Sequence, residues 1–109
     1  MKPEVWGPPS WVFLHSITMN YPSKPSSDDK KKIYKFFDAL KYVLPCDSCS
    51  KNLQRHIKKR PLSDRVLRSR NTLMRWLIDI RNDINKENKK PVIPVADAIK
   101  KLEDMYKET

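Results

Sequence analysis

Two cysteines stand three positions apart, at Cys46 and Cys49 in the run Pro45-Cys46-Asp47-Ser48-Cys49, and the chain has no others. Thiols at that spacing on one helical turn can close a disulfide without distorting the backbone. The free N–H groups of a helix's first turn favour a thiolate there. Asp47 opposes that effect, whereas Lys51 and Arg55 assist it. This is the layout that thiol–disulfide exchange requires; the alternative is a pair of buried, inert cysteines. Two histidines, His15 and His56, complete a set of residue types that could bind zinc. His56 lies seven residues after Cys49, and His15 lies thirty-one before Cys46. Neither distance fits the short ligand pairs of zinc sites, so no metal is expected.

Five helical segments must position these groups. The first opens at Trp6-Gly7-Pro8-Pro9-Ser10, where proline suits a first turn. Its inward stripe is Trp11, Leu14, His15 and Thr18, with Ile17 at the edge, and it stops before Tyr21-Pro22. Ser26 or Ser27 caps the second, with Asp28 and Asp29 favourable in its first turn. Ile33, Phe36, Phe37, Leu40, Val43 and Leu44 recur at helical spacing until Pro45 ends the run. The third starts at or just after Cys46 and turns Leu53, His56 and Ile57 inward, breaking at Arg60-Pro61. Ser63 or Asp64 caps a short turn before the fourth, whose stripe is Leu73, Trp76, Leu77, Ile80 and Ile84. Pro91 and Pro94 bracket an extended link. The last helix uses Val95, Ala98, Ile99, Leu102 and Tyr106. Taken singly, Trp11, His15 and Trp76 read as packed core residues.

The chain has 109 residues, 39% of them hydrophobic and 33% charged, which suits one helical domain over residues 1–109 and excludes a disordered chain. No apolar run is long enough to span a membrane. The first residues, Met1 to Trp6, lack the apolar stretch of a signal peptide. A single glycine among 109 residues cannot write a phosphate-binding glycine-rich loop and argues against a turn-rich sheet fold. The net charge of +10 is concentrated in residues 46–90, where 13 basic residues face 5 acidic ones. Such a bias attracts polyanions of any kind, and charge alone does not choose among them.

Taken in order, the motifs resemble a known family. Trp6-Gly7-Pro8-Pro9-Ser10-Trp11-Val12-Phe13-Leu14-His15 resembles the opening helix of the FAD-linked sulfhydryl oxidases of the Erv/ALR class, with Tyr21-Pro22 at the family's distance. Leu44-Pro45-Cys46-Asp47-Ser48-Cys49 resembles their redox centre. Arg70, Leu73, Trp76 and Leu77 resemble the start of their fourth helix. Arg81-Asn82-Asp83-Ile84-Asn85 resembles their His-Asn-x-Val-Asn signature, followed by Lys90-Pro91. The resemblance covers roughly residues 6–92. It implies an all-α four-helix bundle with a short fifth helix, holding FAD in the mouth of the bundle.

The resemblance further implies an oxidase that makes disulfides in protein thiols and reduces O₂ to hydrogen peroxide. Cys46 would be the exposed cysteine attacked by substrate, and Cys49 the buried one beside the flavin. Trp6, Gly7, Trp11, His15, Tyr42, Asn82, Asn85 and Lys90 match FAD-lining positions, and Arg81 takes the place of the family's His. Glu87 and Asn88 fall where the family has basic or apolar residues. Cys46 and Cys49 are the only thiols, so electrons would come directly from a protein dithiol or a thioredoxin-like partner. The implied assembly is a homodimer, without nucleic acid. This compact arrangement implies a member of the kind found in large DNA viruses, acting in host cytoplasm or virion; the alternative location is the mitochondrial intermembrane space. Two other readings stand beside it. One is a non-enzymatic basic helical module that binds nucleic acid or an acidic partner. The other is a scaffold that kept the fold and lost FAD.

Overall fold

A computed structural model describes residues 1–107; residues 108–109, the end of the expected domain, lie outside the described residues. Its helices are α1 (Pro3–Met19), α2 (Ser27–Leu40), α3 (Asp47–Lys59), α4 (Asp64–Leu67), α5 (Arg70–Glu87) and α6 (Val95–Lys107). The bundle is made by α1, α2, α3 and α5; α6 is the fifth helix, and α4 is the single turn anticipated before α5. Serines begin three of them. Ser26 and Asp29 form a reciprocal capping box on α2, Ser63 caps α4, and Ser69 with Thr72 forms a second box on α5. Each satisfies donors that a helix start otherwise leaves open.

α5 is the central element. It packs against α1, α3, α4 and α6, and buries Leu73, Met74, Trp76, Leu77, Ile78 and Ile80. Met74 and Ile78 lie off the single stripe expected from spacing, because a central helix has neighbours on more than one side. Phe37 of α2 meets Trp76 edge-on at 5.2 Å between ring centroids, a favoured aromatic geometry. The Trp76 indole N–H donates to the Arg60 carbonyl, so the ring is buried without an orphaned donor.

Three expectations are corrected. α1 starts at Pro3, ahead of the expected position, and carries Pro8 and Pro9 inside it. Proline has no N–H for the carbonyl four residues back, so those of Glu4 and Val5 lose helical partners; both residues are exposed to water. α2 ends at Leu40, and Val43 is 70% exposed instead of continuing the stripe. Leu44 precedes Pro45, which disfavours helical backbone, and the Leu44 N–H is taken by the Ser50 hydroxyl at 3.1 Å. Tyr106 is half-exposed, and α6 buries no residue fully.

Candidate active site

Cys46 is the N-cap of α3, with extended backbone, and Cys49 sits in the first turn; the two are joined as a disulfide with Cα atoms 5.2 Å apart. The Cys49 backbone N–H donates to the Cys46 sulfur at 3.3 Å, and the Ser48 hydroxyl lies 3.2 Å from the same sulfur. Cys46 thus replaces the usual Ser or Asp cap. On reduction, both donors and the helix N-terminus stabilise a Cys46 thiolate. The connector that delivers it is tied twice, by Ser50 to Leu44 and by the Gln54 amide to the Lys41 carbonyl at 3.2 Å. Cys46 and Cys49 are both half-buried. The expected contrast, one exposed and one buried, is absent from the chain by itself, because both lie in one solvent-facing turn. Ser48, Ser50 and Gln54 were not singled out from sequence. The only signal for them was a pair of serines flanking Cys49.

A second cluster joins α1 to α5. His15 is 2% exposed, stacked on Trp11 at 5.8 Å between centroids, and its Nδ1 has no hydrogen-bond partner. Burial, with the Arg81 charge adding to it, pushes His15 down to about 4, so the ring is neutral near pH 7. The Arg81 guanidinium carbon lies 5.4 Å from the Trp11 ring centroid, a cation–π geometry. Arg81 is half-buried, and burial lowers its pKa from the usual arginine value. Among the described residues no carboxylate forms an ion pair with it. The cluster therefore holds an aromatic face, an open ring nitrogen and an uncompensated cation.

The remaining expected residues take other positions. Asn82 ties its amide to the link before α6, donating one N–H to the Ile93 carbonyl at 2.7 Å and accepting from the Ile93 N–H at 3.2 Å, which leaves its second N–H and a carbonyl lone pair open. The Asn85 carbonyl accepts from the Lys90 N–H at 2.8 Å, and Lys89 N–H donates to Lys86. With Lys89 at φ 57° this is a Schellman-type helix end, normally made with glycine. Trp6 and Gly7 are half-buried in α1. Apart from its chain neighbours and its own helix backbone, Gly7 has no atom within 4 Å of where a Cβ would stand, so no packing contact explains a glycine inside a helix. Tyr42 is 62% exposed and groups with α2 and α3, with the Lys41 ammonium 5.3 Å from its ring centroid. Glu87 pairs with Arg55 and lies 3.3 Å from His56 Nε2, pinning α3 to α5. Its departure from the family pattern therefore has a structural use. Among the described residues no cluster could hold a metal, and no helix is long and apolar enough to cross a membrane.

The Erv1 / Alr family model matches residues 8–107. The chain belongs to the Erv1/Alr family. This Erv1/Alr chain is 42% identical over 103 residues to a probable FAD-linked sulfhydryl oxidase of Acanthamoeba polyphaga mimivirus, covering 94% of this chain and 72% of the relative. It is 31% identical over 88 residues to the mitochondrial FAD-linked sulfhydryl oxidase of Saccharomyces cerevisiae, covering 81% of this chain but 45% of the yeast protein. Its fold superposes on the crystal structure of the FAD-binding domain of yeast Erv1 with a TM-score of 0.86 at 29% identity, over 95% of this chain and 96% of that one. In this Erv1/Alr chain the disulfide and the Trp11–His15–Arg81 cluster are held by the same bundle, one at the start of α3 and the other between α1 and α5.

Proposed function

We propose that this chain is an FAD-linked sulfhydryl oxidase that forms disulfides in protein thiols. The observation that carries the reading is the Cys46–Cys49 disulfide at the N-terminus of α3, half-exposed and with its Cys46 sulfur already facing two donors. A substrate thiolate attacks the Cys46 sulfur and breaks the bond to Cys49, which leaves as a thiolate. The second substrate thiol then attacks the substrate sulfur of the mixed disulfide and releases Cys46. Substrate leaves oxidised by two electrons, and Cys46 and Cys49 are left reduced. Ser48 and the Cys49 N–H favour Cys46 as the leaving thiolate in the second exchange.

The residues present suit FAD. An orphaned buried ring nitrogen, an unpaired half-buried guanidinium and an aromatic face complement a ligand that is both flat and anionic. Trp11, His15 and Arg81 would hold it, with Trp6 and Gly7 beside the open space at α1 and Asn85 and Lys90 at the end of α5. When bound, FAD would accept the electron pair of the reduced dithiol and deliver it to O₂ as hydrogen peroxide. Asn82 acts one step removed, by fixing the link after α5. Tyr42 stands exposed at the opening of the cleft between α2 and α3.

The partners are a protein dithiol or thioredoxin-like protein, and O₂. A second copy of this chain is the proposed assembly, supported by the exposed Val5, Val12 and Phe13 on α1. The mimivirus relative supports a viral oxidase, working in host cytoplasm or virion. The test is turnover of dithiothreitol with O₂ uptake by the yellow purified protein. Cys49→Ser should abolish turnover while the protein stays yellow, because no other thiol can complete the exchange. Persistent oxidation in that variant would remove this mechanism.

A further inference from the structure

The outward side of α3 is basic from Lys51 to Lys59. Lys51, Arg55, Lys58 and Lys59 are exposed and spaced so that they share one face, opposite the inward Ser50, Leu53 and His56. Arg55 is paired with Glu87, but among the described residues Lys51, Lys58 and Lys59 have no carboxylate within ion-pair distance. Asp47 is the one acid on α3, and it stands beside Cys46. The stripe begins two residues after the disulfide. It ends at Lys58 and Lys59, and Lys58 lines a cleft of about 430 Å³ between α2 and α3. That cleft is also lined by Phe37, Ile57 and Leu62, with Tyr34 and Tyr42 at its opening and with Asp38, whose charge is paired with Lys41. The basic charge, the cleft and the reactive sulfur therefore lie along one helix.

We propose that this face of α3 is the docking track for the substrate protein, and that it selects an acidic segment flanking the substrate cysteine. The proposal rests on the oxidase reading above. A substrate sulfur must reach Cys46, so the chain around it must run along the adjoining surface. Lys58 is about 18 Å along the helix axis from Cys46 at 1.5 Å per residue. An extended peptide covers that in about five or six residues. Carboxylates within that reach would meet Lys51 and then Lys58, and an apolar side chain would enter the cleft. Three exposed ammonium groups, none in a contact ion pair and Lys59 partly offset by Glu87, repel a basic flank and steer an acidic one toward the disulfide. A nucleic acid would also be attracted, but it brings no thiol to the sulfur at which the stripe starts.

The experiment uses the purified full chain and two synthetic dithiol peptides with the same cysteine pair, one flanked by glutamates and one by lysines. At low salt the acidic peptide should have a kcat/KM roughly tenfold or more above the basic one. The advantage should collapse as salt shortens the screening length to about 5 Å. It should also collapse in Lys58→Glu combined with Lys59→Glu, whose turnover of dithiothreitol should match wild type. Lys58→Gln with Lys59→Gln is a milder pair and should lose part of the advantage. Equal kcat/KM for the two peptides, with dithiothreitol still oxidised, would overturn the docking track and leave the oxidase reading standing. No oxidation of dithiothreitol by the wild-type chain would overturn both. A DNA duplex that binds more tightly than the acidic peptide, without slowing its oxidation, would make the stripe a nucleic-acid contact and sink the proposal.

Discussion

Two histidines are buried almost equally, His56 at 4% and His15 at 2% exposure, yet their surroundings differ. At His56 the seam between α3 and α5 is complete. Glu87 faces its Nε2 and pairs with Arg55, Arg60 pairs with Asp83 and reaches Asp79, and the Trp76 N–H has the Arg60 carbonyl. At His15 the seam between α1 and α5 is incomplete. The ring nitrogen has no partner and Arg81 has no acid. A buried polar group without a partner costs about 1–3 kcal/mol, so folded chains leave few of them. The complete seam serves the fold. The incomplete one is where the proposed cofactor site lies: an unpartnered cation over an aromatic face suits a ligand that is anionic and flat.

If the α3–α5 seam is structural, breaking it should cost the most stability. His56→Ala removes a buried ring and the partner of Glu87, and should destabilise the protein by about 2–4 kcal/mol in urea unfolding. A loss below the error of the measurement would mean that the seam does not hold the bundle. The α1–α5 cluster should respond in cofactor retention. Arg81→Ala should weaken FAD binding by about 1–3 kcal/mol, read from the flavin-to-protein absorbance ratio after dialysis. Arg81→His should keep most of the flavin. The melting temperature should fall in step with flavin loss, since a ligand that binds only the folded state stabilises it by mass action. An unchanged ratio in Arg81→Ala would erase the contrast between the two seams.

The contrast also has a pH signature. His15 sits near 4 in the folded chain against 6.5 as its ordinary value, so between those values the unfolded chain binds more protons. Its contribution is fully present above pH 6.5 and is lost as pH falls toward 4, by at most about 1.4 kcal/mol per pH unit. In flavin-stripped protein, His15→Asn should flatten that part of the stability profile; an unaltered slope would place its source elsewhere. The smallest effect lies outside both seams. Lys89 adopts the left-handed conformation that glycine takes without penalty, so Lys89→Gly should raise stability by about 1 kcal/mol. Flavin retention should stay as it was. A loss of flavin there would show that the Lys89 side chain itself takes part in holding the cofactor.

Much of this was legible in the sequence. Periodicity placed the helices to within a few residues, because a stripe of Leu73, Trp76, Leu77 and Ile80 has one low-energy way to leave water. The serine caps and the dithiol at a helix start are local chemistry and read directly. The ends of α1 and α2 were not legible, because they depend on residues and solvent outside each helix. Pro8 and Pro9 do not stop residues 3–7 from making a turn in solvent, and Ser50 reaches back for Leu44 only once α3 has folded. Asn82 shows the same limit at a candidate site residue: its type suits a ligand, but only the fold shows that the link at Ile93 takes one of its N–H groups and one of its lone pairs.

Composition, spacing and local propensity are properties of neighbours in the chain, and they decided an all-helical bundle, an exchange-competent cysteine pair and its family resemblance. Partnership between residues far apart in sequence was decided by packing. Glu87, out of pattern in the family, becomes the partner of Arg55 and His56 only when α5 lies along α3. Arg81 becomes an uncompensated cation over Trp11 only when α5 lies along α1. Whether a buried polar group is satisfied depends on atoms brought within about 3 Å by the fold, and no count of residues along the chain contains that distance.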